Sequence, residues 1–177
     1  MKFIEKKVMR AIDILYERDV YLLIHNLNER TIAHRLGLYL QTEFKEMDVD
    51  CEYNKNIDEE RDSKNIRIDK VTAMKNEIIS KKKEYADDSE LTVLTVYPDI
   101  VIHKRGGNQS NLLIIEIKKS TSQVDRSFDY LKLECYTTIA HNNMLNYTHG
   151  LFIEFPTKTL NPHKPQLVWF ANGKLIQ

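Results

Sequence analysis

Two apolar runs flanking a glycine turn constrain this chain more than any other feature. Leu91 to His103 is rich in β-branched residues, Asn111 to Lys118 is a second run, and Gly106-Gly107-Asn108 between them supplies turn chemistry. The pattern predicts a β-hairpin. In a hairpin symmetric about that turn, facing residue numbers sum to about 215, which sets Asp99 opposite Glu116. Facing residues carry Cβ atoms about 4.5–5.5 Å apart, and Glu116 and Lys118, two apart on one strand, project to the same face. Two carboxylates and one ammonium are therefore expected on one patch.

The rest of the chain reads as α/β. Ile4, Val8, Ala11, Ile12 and Leu15 recur at helical spacing, and a second stripe, Ile32, Leu36, Leu40 and Phe44, follows Asn28, a suitable N-cap. Val49, Cys51 and Tyr53 alternate with polar residues as in a half-exposed strand. Beyond the hairpin, Ser120, Thr121 and Ser122 offer N-caps for a helix carrying Val124, Phe128, Leu131 and Cys135, and Gly150 to Phe155 predicts another strand. Gln166 to Phe170 adds a last strand after a proline-punctuated loop. The expected order is helix, three strands, helix, strand.

With 177 residues the chain is the size of one domain, 1–177. Between Lys55 and Glu90, 19 of 36 residues are charged, against 33 of the other 141, so this stretch is expected to be an insertion; Val71, Met74, Ile78 and Ile79 give its second half the pattern of a docked surface helix. Basic and acidic residues balance at 26 each, which excludes a whole-molecule positive field, and any polyanionic partner must be held locally. The apolar stretches Val20 to Ile24 and Leu112 to Ile115 are far below the roughly 18 residues a membrane span needs. The mixed charges of Met1 to Lys7 give no secretory signal, and Cys51 and Cys135 are too far apart for a disulfide framework or a zinc pair. A cytoplasmic protein with reduced core thiols and no membrane partner is expected.

The hairpin patch carries the chemistry. Adjacent carboxylates repel unless a cation or a shared proton relieves them. A hard divalent ion does so with carboxylate and carbonyl ligands, and magnesium keeps its other positions for water and phosphate oxygens. Asp99, Glu116 and the backbone carbonyl of Ile117 are the candidate metal ligands, with Mg²⁺ the expected ion and Mn²⁺ a substitute. Lys118 can orient or help deprotonate a water, which is the wiring of a phosphodiesterase. Set against this is a plain exposed Asp, Glu and Lys on a sheet face. Glu29 continues the stripe of Ile32, Ala33, Leu36 and Leu40, and two readings stay open for it: a first-turn acid favoured by the helix dipole, or a carboxylate reaching the same metal site.

Together these segments resemble the PD-(D/E)xK nuclease superfamily, with its restriction-endonuclease-like core of helix, three strands, helix, strand in a mixed central sheet flanked by helices. The likeness is nearest to small bacterial members through four ordered stretches, Glu29 to Leu40, Val49 to Asn54, Tyr97 to His103 and Asn111 to Lys119. It implies a metal-dependent nuclease acting on nucleic acid, DNA in preference, with Asp99 and Glu116 as metal-binding carboxylates, Lys118 as catalytic lysine and Glu29 as the first-helix acid. Lys132, with Asp129 and Tyr136 on the following helix, is expected either to contact phosphate or to be a solvated helix lysine; Lys119 and His103 are further substrate-binding candidates. By the same analogy a homodimer is expected. The competing expectation is a DNA-binding or protein-interaction module on the same fold that does not cut.

Thr31 to Leu38 imitates the start of a helix-turn-helix, but the position due to enter the recognition-helix core is Glu43, so Gly37 reads as a close-packing site instead.

Overall fold

The computed structural model describes residues 1–54, 64–69, 91–140, 143, 145–176. Three helices lead: α1 (Lys2–Arg18), α2 (Val20–Ile24) and α3 (Glu29–Glu43). Asn28 caps α3, its Oδ1 accepting from the Thr31 N–H at 2.8 Å, as the sequence predicts. The helix runs unbroken through Gly37, where an added Cβ would lie 2.9 Å from Cys51 Sγ; this residue lets the helix approach strand β1 (Asp48–Cys51) closely.

Two short strands follow, β2 (Asn65–Asp69) and β3 (Leu91–Thr95), paired only with each other. The central sheet then takes β4 (Ile100–His103), β5 (Leu113–Lys119), β6 (His149–Phe155), β7 (Gln166–Ala171) and β8 (Lys174–Ile176) in spatial order β1-β4-β5-β6-β7-β8. All neighbours are antiparallel except β5 and β6. That parallel pair is joined by α4 (Ser127–Thr137). The fold is thus α/β with a mixed six-stranded sheet and helices on both faces.

Side-chain alternation sorts the two faces. Ile100, Ile102, Leu113, Ile115 and Ile117 pack with α1 and α3, whereas Val101, Ile114 and Phe152 pack with Leu133 and Tyr136 of α4. Ile66 and Ile68 of the small sheet join the α4 side, and Asn143 holds that sheet's edge through Arg67 N–H and C=O at 2.7 and 3.1 Å.

Three expectations need correction. Leu91 to His103 is two strands in different sheets: Val96 N–H still bonds Lys64 C=O, but Pro98 offers no N–H and the chain crosses to the central sheet at Ile100. Within the stretch expected to be an insertion the described residues include strand β2, and the helix expected over Val71 to Ile79 lies outside the described residues. Helix α4 begins at Ser127, not at the Ser120–Ser122 caps, because those hydroxyls are engaged elsewhere: Ser120 Oγ accepts from Thr157 N–H and Thr121 Oγ1 donates to Asn26. Its buried face is Asp129, Leu133 and Tyr136, while Val124 lies outside the helix and is exposed. Cys135 is buried as expected, but Cys51, at the end of an edge strand, is exposed. No helix among the described residues is long and apolar enough to cross a membrane.

Candidate active site

The hairpin pairs Ile100 with Ile115, Val101 with Ile114 and Ile102 with Leu113, the register in which facing numbers sum to 215. Continuing it one step brings Asp99 beside the segment Glu116–Ile117. Asp99 Oδ2 accepts from the Ile117 N–H at 2.7 Å, so a side chain replaces the strand partner that β4, starting at Ile100, no longer supplies. An extended residue directs its N–H and C=O to the same edge, so the Ile117 carbonyl also faces the side of Asp99.

Glu116 and Lys118 point to the α4 face, where the helix presents Asp129, Lys132 and Tyr136. Glu116 is only 2% exposed, and both its oxygens are engaged: Lys132 Nζ donates to Oε2 at 2.6 Å and the Tyr136 hydroxyl to Oε1 at 3.1 Å. Asp129, also buried, holds both lysines, at 2.8 Å to Lys132 and 3.1 Å to Lys118. The Lys118 approach is ionic without hydrogen-bond alignment, since Asp129 Oδ2 has no hydrogen-bond donor among the described residues. Lys118 also lies 3.8 Å from Glu29 Oε2, and Glu29 Oε1 accepts from the Lys119 N–H at 3.2 Å. Glu29 thus bends from the first turn of α3 across the end of β5.

Burial dominates the electrostatics. Desolvation pushes the Glu116 carboxyl up to about 8, Asp99 and Asp129 adding to the rise and Lys132 opposing it. Asp99 is raised to about 6, again by burial first, against the Ile117 N–H and the two lysines. For Lys132, burial alone would favour loss of the proton, but Glu116 and Asp129 outweigh it and hold the ammonium above its ordinary value. Burial, then Glu116, also keeps Tyr136 firmly protonated.

With Glu29, Asp99, Glu116 and Asp129 ionised against Lys118 and Lys132, the cluster carries an excess of two negative charges. Two protons or one divalent cation would balance it. Among the described residues no three His, Cys, Asp or Glu side chains form a ready set of metal ligands. Two carboxylates and a carbonyl, with water completing the sphere, is nonetheless a donor set that suits magnesium. The donor types match, while Lys132 and Tyr136 engage both Glu116 oxygens and the Ile117 N–H one oxygen of Asp99.

The structure brings Asp99, Glu116, Ile117, Lys118, Glu29 and Lys132 together. Lys132 is the counter-ion of Glu116, neither a solvated lysine nor one free to meet phosphate, and Asp129, not among the expected site residues, is the hub between the two lysines. The signal was its place one turn before Lys132 on the same helix, where the sequence sets it beside Lys132 without showing that it bridges to Lys118. His103 is not part of this cluster. It lies at the far end of β4, buried against Tyr53, with Nε2 3.0 Å from Asp50 Oδ2 in a group completed by Arg105. Lys119 faces the α3 side, 3.4 Å from the Asn26 carbonyl.

No family model matches this chain, and neither the search of curated proteins nor that of solved structures returned a significant match.

Proposed function

We propose that this chain is a divalent-metal-dependent nuclease with a restriction-endonuclease-like core, hydrolysing phosphodiester bonds of nucleic acid, DNA in preference. The observation that carries the reading is Glu116, a carboxylate 2% exposed on the second hairpin strand, adjoining Asp99, followed by Lys118, in a cluster of four acids and two lysines. The meander β1-β4-β5, the return through α4 and the parallel strand β6 support the same reading. Asp99, Glu116 and the Ile117 carbonyl would hold the ion, which when bound supplies polarisation of a phosphoryl oxygen and charge compensation for the leaving alkoxide. Lys118, steered by Asp129 and Glu29, sets its ammonium beside those carboxylates, where it orients the attacking water and faces the developing charge. Tyr136 and Lys132 fix the Glu116 rotamer from behind.

The test is cleavage of plasmid and oligonucleotide substrates in Mg²⁺ or Mn²⁺ by wild type, Glu116→Ala and Lys118→Ala. Metal-dependent cutting by wild type, lost in both variants, is expected. One observation favours a non-cutting nucleic-acid-binding module: Lys132 and Tyr136 already occupy both Glu116 oxygens. Wild type that binds DNA yet cuts nothing across metals and substrates would establish that alternative.

A further inference from the structure

A cleft of about 530 Å³ opens beyond the C-terminal ends of β5 and β6, beside the candidate centre but outside it. Because these two strands are parallel, the segments leaving them emerge at the same edge, one bringing Lys119, Thr121 and Ser122, the other Lys158. In α/β sheets that edge is where ligands dock. The turn between α2 and α3 closes a third side with Asn26.

The walls are tied together. Thr121 Oγ1 donates to Asn26 Oδ1 at 2.8 Å and lies 3.0 Å from Thr157 Oγ1, and Lys158 N–H donates to the Leu23 carbonyl at 3.0 Å. The contents are cationic. Neither Lys119 nor Lys158 has an acidic partner among the described residues, and Lys119 makes only the long contact with the Asn26 carbonyl. Glu29, the acid in the lining, is turned to the Lys119 N–H and to Lys118. Two ammonium groups, with the Ser122 hydroxyl and the side-chain amides of Asn26 and Asn28 in the same lining, suit an anion rich in acceptor oxygens. The volume exceeds what a single phosphate fills and falls in the range of roughly 300–1,000 Å³ that small ligands occupy.

We propose that this cleft binds the sugar-phosphate backbone of a nucleic-acid strand, seating a phosphodiester next to the one held at Asp99 and Glu116. The assignment rests on the nuclease reading for its substrate, but the cleft is tested separately. Glu29 is the physical link, since one oxygen lies toward Lys118 and the other holds the backbone of Lys119.

The experiment is fluorescence anisotropy of a labelled duplex and a labelled single strand, in EDTA, against salt concentration. The proteins are wild type, Lys119→Ala/Lys158→Ala and a control, Lys45→Ala/Lys174→Ala, which removes two exposed lysines elsewhere. Losing two phosphate contacts should weaken binding on the order of tenfold at moderate salt and flatten the slope of log K against log salt by about 2. The control should match wild type. Affinity and slope unchanged in the cleft variant would overturn the proposal, as would calorimetric binding of inorganic phosphate as tight as that of the strand. A flattened slope in a protein that cuts nothing would uphold the cleft and refute the nuclease reading. Cleavage with an unchanged slope would do the reverse.

Discussion

Glu116→Gln should make the protein more stable, and by more as pH rises. The folded chain holds the Glu116 proton up to about 8, whereas an unfolded glutamate releases it near 4.5. Between those values the folded state binds more protons, so this group's contribution to stability declines with rising pH and bottoms out above pH 8. At about 1.36 kcal/mol per pH unit the full penalty is roughly 5 kcal/mol. Glutamine keeps the shape, its oxygen accepting from Lys132 and its amide NH2 donating to the Tyr136 hydroxyl, but it leaves Lys132 with Asp129 as its one anion. Part of the gain is returned there, and about 2–4 kcal/mol is expected at pH 8.5, with little difference near pH 4.5. For a slope of about 2 kcal/mol per molar urea this moves the unfolding midpoint by about 1–2 M. Urea titrations of both proteins at pH 5, 7 and 8.5, in EDTA, measure it, and Asp99, common to both, cancels in the difference. A variant less stable than wild type, or a difference constant with pH, would refute the burial argument.

Asp129→Asn should leave nucleic-acid affinity in place but lower kcat by about 10- to 100-fold, because Lys118 loses the anion at 3.1 Å that aims it; an equal fall in binding, read by anisotropy, would count against a positioning role. Gly37→Ala should be near neutral alone, since the helical gain of about 1 kcal/mol is offset by the 2.9 Å clash with Cys51 Sγ, and about 1 kcal/mol stabilising when combined with Cys51→Ala; a double-mutant cycle from urea melts without coupling would disprove the contact. Mg²⁺ at 100 times its dissociation constant should stabilise wild type by about 2.7 kcal/mol, several degrees in Tm. Its effect should be larger at pH 8.5 than at pH 6, because Asp99 and Glu116 give up protons to bind it; equal shifts at both pH values, or an equal shift in Glu116→Gln, would place the ion elsewhere.

The hairpin register was legible because a glycine turn and two apolar runs leave few ways to pair, and a slip by one residue would turn Glu116 out of its face. Asn28 was legible as a cap because it stands just ahead of an apolar stripe, and its Oδ1 accepts from both the N–H and the hydroxyl of Thr31. What failed to show had physical reasons. Strand β2 holds only Ile66 and Ile68 as apolar residues within a charged stretch, so its alternation is drowned. Strand β8 follows the turn Asn172-Gly173, both at positive φ, but with only Leu175 and Ile176 as apolar residues it has too little alternation to stand out in the sequence. The start of α4 was misplaced because hydroxyls that could cap a helix instead tie the cleft together. His103 shares a strand face with Asp99, but face alone says nothing of position along the strand, and four residues of extended chain separate them by roughly 13 Å.

The apolar layers on the two sheet faces are complete without the acidic cluster, and they account for why the sheet forms. Glu116 and Asp129 are buried and Glu29 and Asp99 half-buried, and well-packed apolar residues in place of such buried charges are commonly as stabilising or more so. The cluster is also specific in a way a mere ion-pair network need not be: Asp99 spends one oxygen on a strand N–H, Glu116 is gripped from behind by Tyr136 and Lys132, and Lys118 is held between Asp129 and Glu29. Each contact fixes an orientation while setting four acids against two lysines. A site built only for stability would close that gap with a further lysine or arginine. Leaving it open makes the fold less stable at high pH and reserves the difference for a cation, so the same excess charge that penalises the empty protein is what would let a divalent ion bind.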